Sequence, residues 1–256
     1  MEIQIGESIF LGGDSDYKLS PPVQGLESAA FRVGDGLYAG RDGGYVSGHF
    51  YGHRTLTLKG FYIGDNCEDA SRLRKVLFEL LRIRYRLPIL ITTAEGQYYT
   101  EGYVTDIKAD IERLETGEFQ MVILCPDPTL YKAEDGVVIE IQEQLAIGDT
   151  TVIQNDGGVE VYPIITIVGA FDNIEINNTI SQLAMQLDLE TTESTDRVVI
   201  DMGKRMITLN GEIINEFRSL GSSWWSLLQE ENDISVSVGS GTPEITIKYK
   251  EGYPGI

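Results

Sequence analysis

Few residues in this chain have the type and spacing to do chemistry. The two histidines, His49 and His53, lie four apart. On a strand they would share a face with Tyr51, which is the beginning of a metal site. A third ligand is missing from the neighbourhood, so they read as surface histidines. The two cysteines, Cys67 and Cys125, have no Cys-x-x-Cys or Cys/His spacing around them. They read as free, buried thiols in a reducing compartment. Cys67 opens a helical pattern, where the helix dipole lowers a thiol pKa, and is the more reactive of the two. Nothing near it supplies an oxyanion hole or an orienting third group. Asp14-Ser15-Asp16 and the pair Glu115/Glu118 are what an acidic chain produces by chance, without the ordered spacing of a calcium loop. No phosphate loop or dinucleotide fingerprint occurs. The expectation is a non-enzyme with no catalytic residue, cofactor or metal. Trp224-Trp225 is the remaining feature: on a strand the two indoles face opposite sides, so one anchors a core and the other is left at the surface. The alternative is a sugar-stacking platform, against which residues 137–256 contain no histidine.

At 256 residues, with 42% hydrophobic side chains, the chain has material for two cores. No stretch approaches the roughly 18–20 apolar residues of a membrane span, and Met1-Glu2-Ile3-Gln4-Ile5 lacks the basic start and apolar block of a signal peptide. The reading is a protein made and kept in the cytoplasm, or packaged from there. A net charge of −20 argues against a nucleic-acid surface, which neutralises phosphates with Lys and Arg. The excess is steeper in residues 137–256, which hold 6 basic and 19 acidic side chains, than in residues 1–136, which hold 14 and 21. Arg72, Arg74, Lys75, Arg82, Arg84 and Arg86 crowd one segment. They form either a solvated helix face or a docking surface for an acidic neighbour.

The elements that must position these residues follow from periodicity. Asp65-Asn66-Cys67-Glu68-Asp69 supplies cap residues and first-turn acids, and Leu73, Val76, Leu77, Leu80 and Leu81 then repeat at helical spacing. This predicts an amphipathic helix over about 67–86, ending before Pro88. Candidate strands surround it: 56–63, 89–93, 98–107 and 119–124, the last two joined by a turn at Leu114-Glu115-Thr116-Gly117-Glu118. Residues 34–48 contain six glycines and cannot fill a core. They form either a long surface loop or an extended arm that orders against a partner. The interleaved Leu37, Tyr38, Tyr45 and Val46 favour the arm, because aromatics on an exposed segment suit interfaces.

Pro126-Asp127-Pro128 ends the first core, since two prolines in three positions block both helix and ladder. Beyond Asp135-Gly136 only short strands appear, at 137–141, 161–168, 174–177, 183–189, 198–209, 234–238 and 245–249. Within the fifth, Gly203-Lys204 as a two-residue turn pairs Met202 with Arg205, Ile200 with Ile207 and Val198 with Leu209, with Gly203 at positive φ. Strands at this spacing without helices between them predict a two-sheet antiparallel β-sandwich. The predicted fold is mainly β with one amphipathic helix: a β-sandwich/α domain over 1–133 and a second β-sandwich over 136–256.

In their order and spacing these features resemble the distal tail protein family of siphophages. The resemblance is carried by the N-terminal strands, the arm leading into Arg54-Thr55-Leu56-Thr57-Leu58-Lys59-Gly60, and the helix with Leu73-Arg74 and Leu80-Leu81. Pro126-Asp127-Pro128 with Tyr131 continues it, as do Val199-Ile200-Asp201, Leu209-Asn210-Gly211, Trp225, Leu228 and Asn232. It implies a virion structural protein at the tail tip, assembled in the host cytoplasm. N-terminal domains of the family form a homo-hexameric ring between the tail tube protein and the tail-tip hub protein. Galectin-like C-terminal domains project outward toward receptor-binding or baseplate proteins; from charge and hydropathy, no sequence-specific nucleic acid and no membrane partner is expected. Within that frame Leu37, Tyr38, Arg41, Tyr45 and Val46 are the candidate oligomer interface, and Arg72, Arg74, Lys75 and Trp224 the candidate docking residues. The alternative function is a carbohydrate-binding sandwich that contacts host cell-wall glycans.

Overall fold

The computed structural model describes residues 1–7, 9–110 and 115–256, and of residues 31, 33 and 47–49 the backbone alone. The chain is mainly β with one α-helix among the described residues. Its contacts divide it into two units: Met1–Val138 together with Tyr253–Ile256, and Ile139–Gly252.

Unit 1 contains strands β1 (Glu2–Ile5), β2 (Ile9–Gly12), β3 (Tyr17–Leu19), β4 (Phe31–Leu37), β5 (Gly44–Tyr51) and β6 (Arg54–Ile63), then helix α1 (Cys67–Glu79). After the helix come β7 (Leu87–Thr92), β8 (Gln97–Ala109), β9 (Thr116–Cys125), β10 (Leu130–Glu134) and β11 (Val137–Val138). The expected sandwich is here a closed, barrel-like sheet. Seven strands run in the order β8-β7-β1-β2-β3-β6-β9, and β9 pairs back onto β8. Closure depends on the length of β8. Its residues from Gln97 to Gly102 pair with β7, and those from Tyr103 to Ala109 pair with β9 across a register shift between Val104 and Asp106. A bulge of this kind increases local bend and twist, which a small closed sheet needs. Of the residues expected in the turn, Thr116, Gly117 and Glu118 belong to β9. Leu114 lies outside the described residues.

Period-two alternation sets the barrel interior. Along β6 the residues at 54, 56, 58, 60 and 62 face inward and those between them face out or lie half-buried. Gly60 is small for a reason: a Cβ there would meet the Lys18 carbonyl and the Phe119 ring. The helix starts where expected, with Asn66 Oδ1 accepting from the Asp69 N–H at 3.0 Å. It ends earlier than expected, at Glu79, and tightens into a 3-10 turn over Leu80–Arg82. The apolar stripe explains the difference. Ala70, Leu73, Leu77 and Leu80 are buried, but Leu81 is exposed, so no apolar face remains to hold a further turn against the barrel. The Tyr17 hydroxyl donates to the Leu73 carbonyl at 2.9 Å, tying β3 to the helix. Burial pushes its pKa up to about 12.

Unit 2 is a two-sheet sandwich around one core. Its strands are β12 (Ile141–Gln144), β13 (Thr150–Asn155), β14 (Ile164–Val168), β15 (Phe171–Asn178), β16 (Leu183–Thr191), β17 (Arg197–Asp201), β18 (Met206–Leu209), β19 (Glu212–Ile213), β20 (Glu230–Gly241) and β21 (Glu244–Tyr249). One sheet has the order β12-β21-β14-β17-β18-β19 and the other β13-β20-β15-β16. The β17–β18 hairpin has the expected register, with Val198 opposite Leu209 and Ile200 opposite Ile207. Its turn differs: the positive φ falls on Arg205 instead of Gly203, and the Asp201 carboxylate accepts from the Lys204 N–H at 2.8 Å. That Asx contact makes a four-residue loop in place of the two-residue turn. The expected strand over 137–141 is divided, since Val137 and Val138 pair with β10 in unit 1 while Ile141 begins β12. The last four residues, expected in the second domain, belong to unit 1.

Candidate assembly surfaces

The glycine-rich segment is neither loop nor open arm. It is a hairpin, β4 against β5, that forms a two-stranded sheet of its own. Its glycines make room for aromatic side chains. Gly36 lies opposite Tyr45, and a Cβ on it would fall 2.6 Å from the Tyr45 hydroxyl. At the tip the Tyr38 and Tyr45 rings approach to 5.9 Å, and the Arg41 guanidinium stacks over Tyr38 at 3.8 Å. The tip is therefore ordered by its own side chains and yet turned to solvent, with Leu37 87%, Val46 59% and Tyr45 50% exposed; Phe50, toward the base, is 66% exposed. All five predicted interface residues, Leu37, Tyr38, Arg41, Tyr45 and Val46, are brought together here.

The basic segment separates into different roles. Arg72 pairs with Asp69 at 2.6 Å within the helix, and this contact holds the Asp69 carboxyl below its usual pKa. Arg74 is half-buried, donates to the Ala109 carbonyl at 2.7 Å and lies over the Phe78 ring. It fastens the helix to β8. Lys75, Arg82, Arg84 and Arg86 are exposed.

The two tryptophans divide as expected of neighbours on an extended segment. Trp225 is the largest fully buried side chain, at 1% exposure, and Trp224 is partly buried with Arg218 over its ring. Two indoles side by side as a sugar platform are therefore not on offer. The segment carrying them forms no strand. Three buried amides hold it instead. Asn232 accepts from the Leu228 N–H and donates to the Leu228 and Glu230 carbonyls. Asn155 reaches the carbonyls of Val159 and Leu228, and Asn178 reaches Asn232. Buried polar groups persist only when satisfied in this way.

Sequence reasoning passed over Arg54. Its side chain is 1% exposed, and it faces no carboxylate in hydrogen-bonding range among the described residues. It donates instead to four backbone carbonyls: Pro128 at 2.8 Å, Gly25 at 2.5 Å, Glu27 at 2.7 Å and Pro254 at 2.5 Å. One guanidinium thus gathers the loop before β4, the proline-rich exit from β9 and the end of the chain. The signal was present, because residue 54 is in phase with the inward Leu56 and Leu58.

His53 is exposed, and the side chain of His49 lies outside the described residues. No group of three or more His, Cys, Asp or Glu that could hold a metal occurs among the described residues. Of the two thiols expected to be buried only Cys125 is, and burial pushes it up to about 11; Cys67, the first residue of α1, is exposed. Titration of the native protein with an aromatic disulfide at pH 8 is expected to find one fast thiol. The second should appear only in denaturant, and Cys67→Ser should remove the fast phase.

Residues 156–253 match the family model described as siphovirus-type tail component, C-terminal domain. Over 243 residues, 92% of this chain and 92% of the relative, the sequence is 26% identical to the distal tail protein of Bacillus phage SPP1. The crystal structure of SPP1 Dit, titled a paradigm of hub adsorption apparatus in Gram-positive infecting phages, shares the fold. Its TM-score is 0.77 over 98% of both chains, at 18% identity. Over nearly its whole length the chain is thus similar to a siphophage distal tail protein, and its second unit matches the siphovirus-type tail component domain. No helix among the described residues is long and apolar enough to cross a membrane.

Proposed function

We propose that this chain is the ring-forming adaptor at the tip of a siphophage tail. In this reading unit 1 makes a homo-hexameric ring that joins the tail tube protein to the tail-tip hub protein. Unit 2 is a galectin-like domain that projects from the ring and holds a baseplate or receptor-binding protein. Assembly takes place in the host cytoplasm.

The observation that carries the reading is the β4–β5 hairpin. A two-stranded sheet is at best marginally stable alone in water, and this one turns Leu37, Tyr45, Val46 and Phe50 outward. Burial of each such side chain contributes roughly 1.5–3 kcal/mol, so covering them against a neighbour supplies both the order and the affinity. A ring requires two different complementary surfaces on each copy, and a projecting hairpin is one of them. The net charge of −20 suits a channel for DNA, because an acidic balance disfavours the retention of phosphates.

The test is a pair of charges at the tip. Leu37→Asp with Val46→Asp leaves the barrel untouched. It is expected to weaken self-assembly more than tenfold by native mass spectrometry, since a tenfold change needs only about 1.4 kcal/mol. Assembly equal to that of the unaltered chain would refute the reading. A glycan-contacting role for unit 2 would rest on Trp224 alone, and nothing further in the geometry favours it.

A further inference from the structure

We infer that the outer edge of β13 is a strand-addition site, built to take an extended segment of a partner that carries basic side chains. The inference goes beyond the adaptor reading and does not depend on the ring.

The four-stranded sheet of unit 2 has two edges, and they are treated differently. The β16 edge is covered by the irregular chain that follows β19. Ser219 N–H donates to the Gln186 carbonyl at 3.0 Å, Ser223 N–H to the Ala184 carbonyl at 2.8 Å, and the Ser222 hydroxyl both accepts from and donates to the Gln186 backbone. The β13 edge has no such cover. Its open groups can be assigned by alternation along β20. Gly148 N–H donates to the Val236 carbonyl on the β13 side, and Thr179 N–H donates to the Asp233 carbonyl on the β15 side. Even-numbered residues of β20 therefore bond toward β13 and odd-numbered ones away from it. Asp233 is opposite Val152, Ser235 opposite Thr150 and Glu231 opposite Gln154. All three are non-hydrogen-bonded pairs, so the N–H and C=O groups of Thr150, Val152 and Gln154 point to the free edge. The Gln154 carbonyl takes the Tyr249 hydroxyl at 2.6 Å. No backbone bond from elsewhere reaches the others among the described residues.

Natural edges are guarded by charge, proline or a bulge. Thr150–Asn155 has none of these, in a chain with 40 acidic residues, and Val152 is 56% exposed. The carboxylates stand around the edge instead. Asp149 and Asp156 flank it, and Glu231 and Asp233 line the outward face one strand in. An added strand gains backbone bonds from the edge, and its Lys or Arg side chains meet the surrounding carboxylates. A second copy of the chain is disfavoured, because antiparallel β13 pairing would bring eight such carboxylates together.

The probe is a fluorescent seven-residue peptide of alternating Thr and Val with Lys at both ends, compared with the same peptide ended by Glu. Both are titrated against the full chain by anisotropy. Saturable binding of the Lys peptide, at least tenfold tighter than the Glu peptide and weakened by salt, is expected. Val152→Pro removes only an outward donor and should weaken it at least tenfold. N-methylation of alternate peptide residues should abolish it, which decides the matter if the proline variant does not fold. Amide exchange at Thr150 and Val152 should be fast in the free chain and slowed by the peptide. Equal binding of the two peptides, no binding, or binding indifferent to both Val152→Pro and N-methylation would overturn the site. Self-association lost in Val152→Pro would overturn the choice of occupant. Ring formation is read by native mass on the unaltered chain and on the Leu37→Asp, Val46→Asp chain, without peptide or Val152→Pro, so the two readings fail separately.

Discussion

Arg54→Ala is expected to destabilise unit 1 by about 3–5 kcal/mol, the range seen when one side of a buried charged contact is removed. Hydrogen bonds to a charged group are worth roughly 1.5–3 kcal/mol each. Arg54 makes four, to Pro128, Gly25, Glu27 and Pro254. They do not add, because removing the guanidinium lets water reach some of the carbonyls. Burial lowers the pKa of the group, yet a guanidinium stays charged in proteins and keeps every donor. Arg54→Lys should recover only part of the loss, since one ammonium with three donors cannot span acceptors that the planar fork meets from three nitrogens. Chemical unfolding of the three proteins gives the order. A second readout is specific to the clasp. The Ile256 N–H donates to the Leu26 carbonyl at 2.9 Å and Tyr253 packs edge-on against Tyr98, so the end of the chain has other anchors. Its amides should nevertheless exchange much faster in Arg54→Ala, while the β6–β9 ladder remains protected.

Trp225→Ala should cost unit 2 a similar 3–5 kcal/mol, the usual range for emptying an aromatic site in a core. Trp224→Ala should cost less, about 1–2 kcal/mol, because that ring is only partly buried at the margin of the core and its cation contact is long. The contrast tests which indole is the anchor. A further variant sharpens it. The Trp225 Nε1–H is buried with no acceptor among the described residues, and such a group costs roughly 1–3 kcal/mol. Phe at 225 removes that cost along with some volume, so Trp225→Phe should recover most of what Ala loses. Urea unfolding followed by the remaining tryptophan gives all three values. Blue-shifted emission should persist in Trp224→Ala and disappear in Trp225→Ala.

What the sequence made legible was local. The helix start at Asn66, the alternation of β6 and the register of the β17–β18 hairpin each follow from spacing over a few residues, and they are as expected. Closure of the barrel was out of reach, because it depends on β8 changing partners halfway, a pairing set by a bulge and by strands far apart in the chain. β13 escaped notice because Thr-Thr-Val-Ile-Gln-Asn is short and without strong apolar alternation, although Gly148-Asp149 and Asp156-Gly157-Gly158 bound it. The hairpin at 31–51 was half legible. Six glycines argued against a core, but that Gly36 makes room for the Tyr45 ring is a cross-strand fact. Arg54 illustrates the opposite case. Its phase along β6 marks it as inward, yet a lone arginine has no sequence pattern that announces four carbonyls.

The same division holds for the candidate surfaces. Leu37, Tyr38, Arg41, Tyr45 and Val46 were found because exposed aromatics among glycines are conspicuous. The basic run was read as one feature, whereas packing gives Arg74 a structural bond to Ala109 and leaves Lys75 exposed. Sequence spacing does not distinguish an arginine that reaches a carbonyl across the barrel from one that faces water.

The adaptor reading is tested most directly by native mass spectrometry and negative-stain imaging of the full chain mixed with its tail tube and hub proteins. Closed rings of six copies are expected, and the Leu37→Asp, Val46→Asp chain should fail to form them. A chain that stays monomeric with both partners present would contradict the account.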